Sequence, residues 1–427
     1  MKRLTIRNFG PIIDVVIEQK RINLILGPQS SGKSTVLKVA CFCDWMERKM
    51  ALSQSPDKFC QPSFFVENLL KFHKLEGFMH PDTYIKYEND AINFEYDAAS
   101  NCCNYKWGNE TKRWKYRKTK IAYIPSERNL VAAIPNWYQV SMNNNNILDF
   151  MKEWEFARKS FQNKEQIVNL PFSYRYNPGN MADRIVMEDG YELSLTNASS
   201  GLQSLTPLYV MLCYLTGPFY NEKQSNVADS ILRNNLERVV ANECSDKTPE
   251  EIVSIVDNMI TPYRSDIFIE EPEAHIFPST QKAFSYSLAG MLNGQEKHFC
   301  FIATHSPYMM TSFNNLIFAG ELAAKSKEMA EKISERFAKR QLLRWNDVSA
   351  YSMQEGHAVS IMDEDTMMMS AEALDSASQE IADDFNFLVS VSTMTYCIYQ
   401  KKPLRGELSG FLSICQAEAS CISPKVY

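Results

Sequence analysis

The stretch that most narrows what this chain can fold into is Gly27-Pro28-Gln29-Ser30-Ser31-Gly32-Lys33-Ser34-Thr35. It lies between the apolar run Ile22-Asn23-Leu24-Ile25-Leu26 and a segment whose apolar residues recur at helical spacing. A strand that ends in glycine, turns and restarts as a helix leaves the first helical N–H groups unpaired. They point at whatever the loop encircles, which makes the turn a natural anion site. Gly27 and Gly32 let the backbone approach phosphate oxygens, Lys33 neutralises them, and Ser34, backed by Thr35, offers a hydroxyl to magnesium. Residues 27 to 35 are read as the cradle of a nucleotide's phosphates. The competing reading is a glycine-rich turn with a chance lysine.

Two later apolar runs end in residues suited to the same chemistry. Asp266-Ile267-Phe268-Ile269-Glu270-Glu271 has the composition of a buried strand yet closes on adjacent carboxylates rather than on a turn residue. Beside a phosphate loop, the first acid, Glu270, supports magnesium and the second, Glu271, activates water as general base. Phe299-Cys300-Phe301-Ile302-Ala303-Thr304-His305 ends in a histidine that can hydrogen-bond the terminal phosphate or the attacking water. The bland alternatives are a solvated acidic strand end and a structural histidine. Ser199, Ser200 and Gly201 stand just before a long apolar run, so a helix beginning there aims hydroxyls and free N–H groups at an anion. A serine-capped core helix is the other reading.

The chain has 427 residues, 45% of them hydrophobic, and a formal charge of -6, which argues against wholesale coating of nucleic acid. Its 11 cysteines show no zinc-binding spacing and suit a reducing, cytoplasmic compartment. The longest lipid-like stretch, from Leu208 to Tyr220, is too short to span a bilayer and is broken by Gly217-Pro218, so no membrane role is expected. Lys112, Arg113, Lys115 and Arg117, interleaved with Trp114 and Tyr116, would form either a ribbon that contacts nucleic-acid phosphates or an aggregation-blocking edge strand.

Alternation of apolar strands with helices predicts an α/β fold with a mainly parallel sheet, preceded by an antiparallel sheet near the N-terminus. Helices are expected over 204–216, with Pro207 imposing a kink or a start near Thr206, over 226–259, from about Thr280, and over 321–341. The acidic run Asp363-Glu364-Asp365 reads as a turn rather than a nuclease metal site, because no strand-ending glutamate-glycine precedes it.

The order of these pieces, together with the words TIRNFGPI and EEPEAHIFP, resembles the ABC-type ATPase heads of the SMC and RecF kind. Most closely, it is similar to the prokaryotic OLD-like AAA ATPases, here without the Toprim nuclease domain. The resemblance implies a P-loop NTPase head over 1–375 with the phosphate loop at 27–35. It further implies a helical lobe and signature over about 129–260, a Walker B strand at 266–271 and a histidine switch at 301–306. A C-terminal helical segment would fill 376–427. It also implies ATP and Mg²⁺ as ligands, and a homodimer or higher even-numbered homo-oligomer. In that assembly Ser199, Ser200 and Gly201 face the γ-phosphate held by a second copy. Relatives of this kind suggest a separate effector protein and a role in antiphage defence. A RecF-like DNA clamp and a structural ATP-bound scaffold are the alternatives. No glutamine stands out as a further magnesium ligand; Ser126, Glu127 and Arg128 mark the nearest region.

Overall fold

The computed structural model describes residues 2–108, 113–221, 227–294 and 297–370, with 383, 384 and 388 beyond them. Met1–Ala373 form one compact unit and Leu374–Tyr427 a second. The helical segment expected over 376–427 lies outside the described residues apart from those last three positions.

Strands β1 (Lys2–Phe9) and β2 (Ile12–Gln19) form an antiparallel hairpin, and β3 (Ile22–Leu26) follows as a fully buried run. Helices α1 (Lys33–Ser53) and α2 (Pro62–His73) lead to an antiparallel meander of β4 (Met79–Glu88), β5 (Ile92–Asp97) and β6 (Cys102–Trp107). After β7 (Thr119–Ile124) come the short α3 (Leu130–Ala133) and α4 (Asn146–Lys159). A small antiparallel sheet is built from β8 (Glu165–Gln166), β9 (Phe172–Asn177), β10 (Ala182–Met187) and β11 (Glu192–Ser194). Then follow α5 (Ser200–Leu215), α6 (Val227–Glu243), α7 (Pro249–Ile260), β12 (Arg264–Glu270), α8 (Pro278–Leu292) and β13 (Phe299–Ala303). Helices α9 (Pro307–Ala323) and α10 (Lys327–Ser334), the hairpin β14 (Val348–Gln354) and β15 (His357–Ser360), and the pair β16 (Met362–Asp363) and β17 (Met368–Met369) complete the described chain.

The main sheet has 11 strands in the order β6-β5-β4-β1-β2-β15-β14-β3-β13-β12-β7. This corrects the expectation of a mainly parallel sheet with a separate antiparallel one. The half running through β14, β3, β13, β12 and β7 is parallel, the half from β6 to β2 is antiparallel, and both belong to one continuous sheet. The link between them is the β14–β15 hairpin: β14 lies parallel to β3, and His357 of β15 pairs with Asp14 of β2. Burial on both faces explains why β13 and the stretches Leu24–Leu26 of β3 and Ile267–Ile269 of β12 read as apolar runs. Val36, Val39 and Ala40 of α1 share a buried cluster with Ile25, Phe268 and Phe301, so α1 is packed on the strands that carry the site.

Other expectations change in detail. Helix α5 begins at Ser200, not near Thr206, and continues through Pro207. A proline inside a helix costs about 3 kcal/mol, and near-complete burial from Ser204 to Leu215 offsets it. The single helix expected over 226–259 is two, because Thr248 and Glu251 form a capping box that starts α7 afresh before Pro249. The charged helix expected over 321–341 is the short α10, preceded by α9 and followed by a 3-10 turn at Lys339–Gln341. The Asp363 carboxylate accepts from the Asp365 N–H and the Thr366 hydroxyl, so the acidic run is the expected turn.

Candidate functional site

The phosphate loop leaves β3 through Gly27, whose φ of 143° is open to glycine but not to an L side chain. A Cβ there would stand 2.8 Å from the Met353 carbonyl oxygen of β14, so the loop can follow this path only without one. Ser30 at φ 62° and Gly32 at φ 98° complete the turn into α1. No side chain caps α1, which leaves its first N–H groups facing the loop. The buried Ser31 hydroxyl oxygen has no hydrogen-bond partner among the described residues. A glycine-lined cradle with an unused hydroxyl and unused N–H groups fits a phosphate chain.

Lys33 is turned into this loop, donating to the carbonyl oxygens of Gly27 at 3.0 Å and Pro28 at 2.6 Å. Burial pulls its ammonium down to about 8, against the opposing pull of Glu271 and Glu273. A phosphate chain at this point would restore the charge that burial disfavours.

The carboxyl ends of neighbouring parallel strands supply the rest, the position where open α/β sheets place their ligands. Glu270, at the end of β12, is 3% exposed; it accepts from the Ser126 N–H at 3.2 Å and lies 3.8 Å from Lys38 Nζ. The loop after β7 thus meets the expected magnesium position through the backbone of Ser126, and not through a side-chain ligand. Among the described residues no three His, Cys, Asp or Glu side chains gather as a metal site. Magnesium held by Ser34 and Glu270 would therefore take its remaining ligands from phosphate and water, the pattern this ion favours.

Glu271 follows in a left-handed backbone conformation, φ 42°, in which the chain turns away from the sheet. Its N–H bonds the Ala303 carbonyl at 2.8 Å. Its carboxylate oxygen Oε1 lies 3.4 Å from His305 Nε2, and this hydrogen bond is the main cause that holds the carboxyl below its usual range; Lys33 and Arg128 assist. His305 is fixed in turn, its backbone N–H bonded to Glu273 Oε1. The structure therefore brings Gly27 to Thr35, Glu270, Glu271 and His305 to one edge of the sheet.

Arg128, which the sequence marks only as part of the region nearest a further magnesium ligand, organises this edge instead. Its guanidinium is fully buried; Nη1 and Nη2 donate to the carbonyls of Glu270 and Glu271, each at 2.8 Å, and Nε to the Ser204 carbonyl of α5 at 3.2 Å. Burial lowers its pKa to about 10, with the three nearby glutamates opposing. The β12 strand end and helix α5 are thereby tied through one side chain. The only trace in the sequence was its place just after β7.

Ser199 caps α5, its hydroxyl accepting the Leu202 N–H at 3.4 Å. Ser199 and Ser200 are exposed, and a Cβ on Gly201 would lie 3.0 Å from the His275 carbonyl, so the end of α5 abuts the chain that follows β12. Both sequence readings, helix cap and outward anion site, are compatible with this geometry.

The basic segment departs from expectation. Arg113 is helical and Trp114 and Lys115 form a turn before β7, not a strand, so these side chains share no strand face, and Lys112 lies outside the described residues. Arg113 pairs with Glu243 at 2.7 Å, donates to Gln54 and stacks over Trp107 and Trp114. Its charge is spent internally. Lys115 and Arg117 remain exposed. No described helix is long and apolar enough to cross a membrane.

No protein-family model matches the chain, and no curated protein matches it. Solved structures do align with it. The SMC head domain from Thermotoga maritima shares 10% identity over 84% of this chain and 97% of its own, with a TM-score of 0.37. The recombination mediator protein RecF, solved as RecF-ATPrS, shares 10% over 84% and 97%, with a TM-score of 0.34. A dimeric bacterial ABC transporter cassette shares 11% over 83% and 96%, with a TM-score of 0.28. What the site does is read from its own residues.

Proposed function

We propose that this chain is a magnesium-dependent ATP hydrolase that works as a switch. The observation that carries the reading is the Glu271 carboxylate, 3.4 Å from His305 Nε2, at the end of a strand separated only by β13 from the strand that enters the phosphate loop. Loop N–H groups and Lys33 hold the phosphates, Lys33 exchanging its carbonyl partners for phosphate oxygens. Ser34 and Glu270 hold magnesium, which supplies Lewis-acid stabilisation of the transferred phosphoryl group. Glu271 accepts the proton of the attacking water, and His305 keeps its carboxylate ionised and aimed. Ser199, Ser200 and Gly201 contact the phosphate held by a second copy, closing a head-to-tail pair with two equivalent sites.

Cleavage removes the charge that holds the pair and lets it reopen, so the output resides in what closed and open forms bind. By the family resemblance, that output is control of a separate effector protein in antiphage defence. The test is the solution mass of Glu271→Gln protein by light scattering, with and without ATP and Mg²⁺. Nucleotide should double the mass, and Ser200→Arg should abolish the change. A mass indifferent to nucleotide refutes the switch.

A further inference from the structure

The middle of α1 and the start of β12, away from the phosphate loop, line a second polar site. A cavity of about 430 Å³ opens there among Lys2, Asp44, Glu47, Lys115, Arg117 and Arg264. That volume lies within the range of about 300–1,000 Å³ usual for small-molecule sites.

The floor of the cavity is acidic, with Lys2 placed among Asp44, Glu47 and Asp266. The Asp44 side chain is 2% exposed, and its Oδ1 takes the Lys2 ammonium at 2.9 Å. Its buried Oδ2 has no hydrogen-bond partner among the described residues. The Tyr87 hydroxyl lies 2.6 Å from Glu47 Oε2 and 2.9 Å from Asp44 Oδ1, and it has one proton to give. Burial, with Asp266 and Glu47 nearby, pushes the Asp44 carboxyl up to about 6 despite Lys2. A buried carboxylate oxygen of this kind calls for an N–H donor from elsewhere.

The mouth has the opposite character. Arg264 is spoken for by Asp266 at 2.9 Å, whereas Lys115 and Arg117 are exposed and make no ion pair among the described residues. The Arg117 guanidinium lies 3.8 Å from the centroid of the Tyr263 ring, which also lines the cavity. This arrangement sets a flat cationic and aromatic wall between an acidic floor and a basic rim. A ligand that satisfies all three carries a phosphate, a planar ring and an amino group.

We infer that this cavity binds a nucleotide whose base bears an exocyclic amino group, with the amine at the acidic floor of Asp44 and Glu47, the base along Tyr263 and Arg117, and the phosphate at Lys115 and Arg117. The inference stands apart from the ATPase reading, because none of these residues belongs to the phosphate loop. It also gives a purpose to the basic segment that the nucleotide site leaves unused. Asp44 lies on α1 eleven residues after Lys33, roughly 16 Å at the helical rise, and Asp266 lies on the strand that ends at Glu270. With Arg264 and Asp266 both on β12, a ligand here bears on the same helix and strand that shape the phosphate site.

The test is calorimetric titration of the full-length Lys33→Ala protein, in which the phosphate loop is disabled. The probes are AMP, GMP, UMP, inorganic phosphate and a 5′-phosphorylated single-stranded oligonucleotide rich in adenine. AMP or GMP should bind at least about tenfold more tightly than UMP or phosphate. The surface double variant Lys115→Ala/Arg117→Ala, which removes no buried side chain and only the Arg117 contact on the Tyr263 ring, should weaken binding about tenfold or more with the thermal midpoint nearly unchanged. Asp44→Asn should narrow the preference over UMP, and if it does not fold the surface pair still decides. Binding of free monophosphates assigns a small-molecule source; binding of the oligonucleotide alone assigns a nucleic-acid end, and either sustains the site. Absence of binding by every nucleotide, equal binding of UMP, or binding unaffected by the surface pair overturns it.

Discussion

Replacing Arg128 by methionine tests whether one buried side chain holds the strand end of Glu270 and Glu271 against helix α5. The substitution removes two hydrogen bonds at 2.8 Å, to the carbonyls of Glu270 and Glu271, and three longer ones, to the Ser204 carbonyl at 3.2 Å and to the Pro125 carbonyl and the Ser204 hydroxyl at 3.3 Å. Bonds from a charged donor contribute about 1.5–3 kcal/mol each at good geometry, so the two short ones account for about 3–6 kcal/mol and the three long ones together for about 1, a gross loss of about 4–7 kcal/mol. Against this stands the cost of burying the guanidinium, about 3 kcal/mol for a group drawn down to about 10. The net destabilisation is about 1–4 kcal/mol, seen as a urea midpoint lower by up to about 1 M. Because Glu271 loses the group that fixes its carbonyl, the hydrolysis rate should fall by about tenfold or more under conditions where the protein remains folded. Arg128→Lys, with an ammonium that cannot fork between two carbonyls, should recover only part of both losses. A methionine variant as stable and as active as wild type would refute the reasoning.

Gly27→Ala places a Cβ 2.8 Å from the Met353 oxygen at a φ of 143°, so it should cost about 1–3 kcal/mol in thermal unfolding and weaken ATP binding together. Lys33 titrates near 8 in the free protein, and phosphates favour its charged form; ATP affinity measured by calorimetry should therefore decline as pH rises through about 8, with proton uptake on binding above it. The His305 hydrogen bond is the main cause that depresses Glu271, so His305→Ala should raise that carboxyl and move the acid limb of the pH–rate profile to higher pH. An unmoved limb would show that His305 does not act through Glu271.

The parts of the site that were legible in sequence share a physical reason. Strands buried on both faces are mostly apolar, so a glycine loop, a pair of acids or a histidine at the end of such a run stands out against it, as at Gly27, Glu270 and His305. Pairing between distant segments left no comparable mark. Nothing in the local pattern of β14 announces that it will lie beside β3, although this contact closes the sheet and brings Met353 against Gly27. Arg128 reads like any surface arginine until its carbonyl partners are placed around it. The basic segment misled for a related reason: alternating charge and aromatic residues suggested a strand, while stacking of Arg113 on Trp107 and Trp114 and its pairing with Glu243 favour a turn.

Single-turnover hydrolysis by wild type and Glu271→Gln, with ATP affinity measured alongside in the presence of Mg²⁺, tests the central claim most directly. Glu271→Gln should bind ATP within about threefold of wild type and release phosphate about 100-fold or more slowly, the loss expected for a missing general base. Equal rates in the two proteins, or a wild-type chain that neither binds nor cleaves ATP, would contradict it.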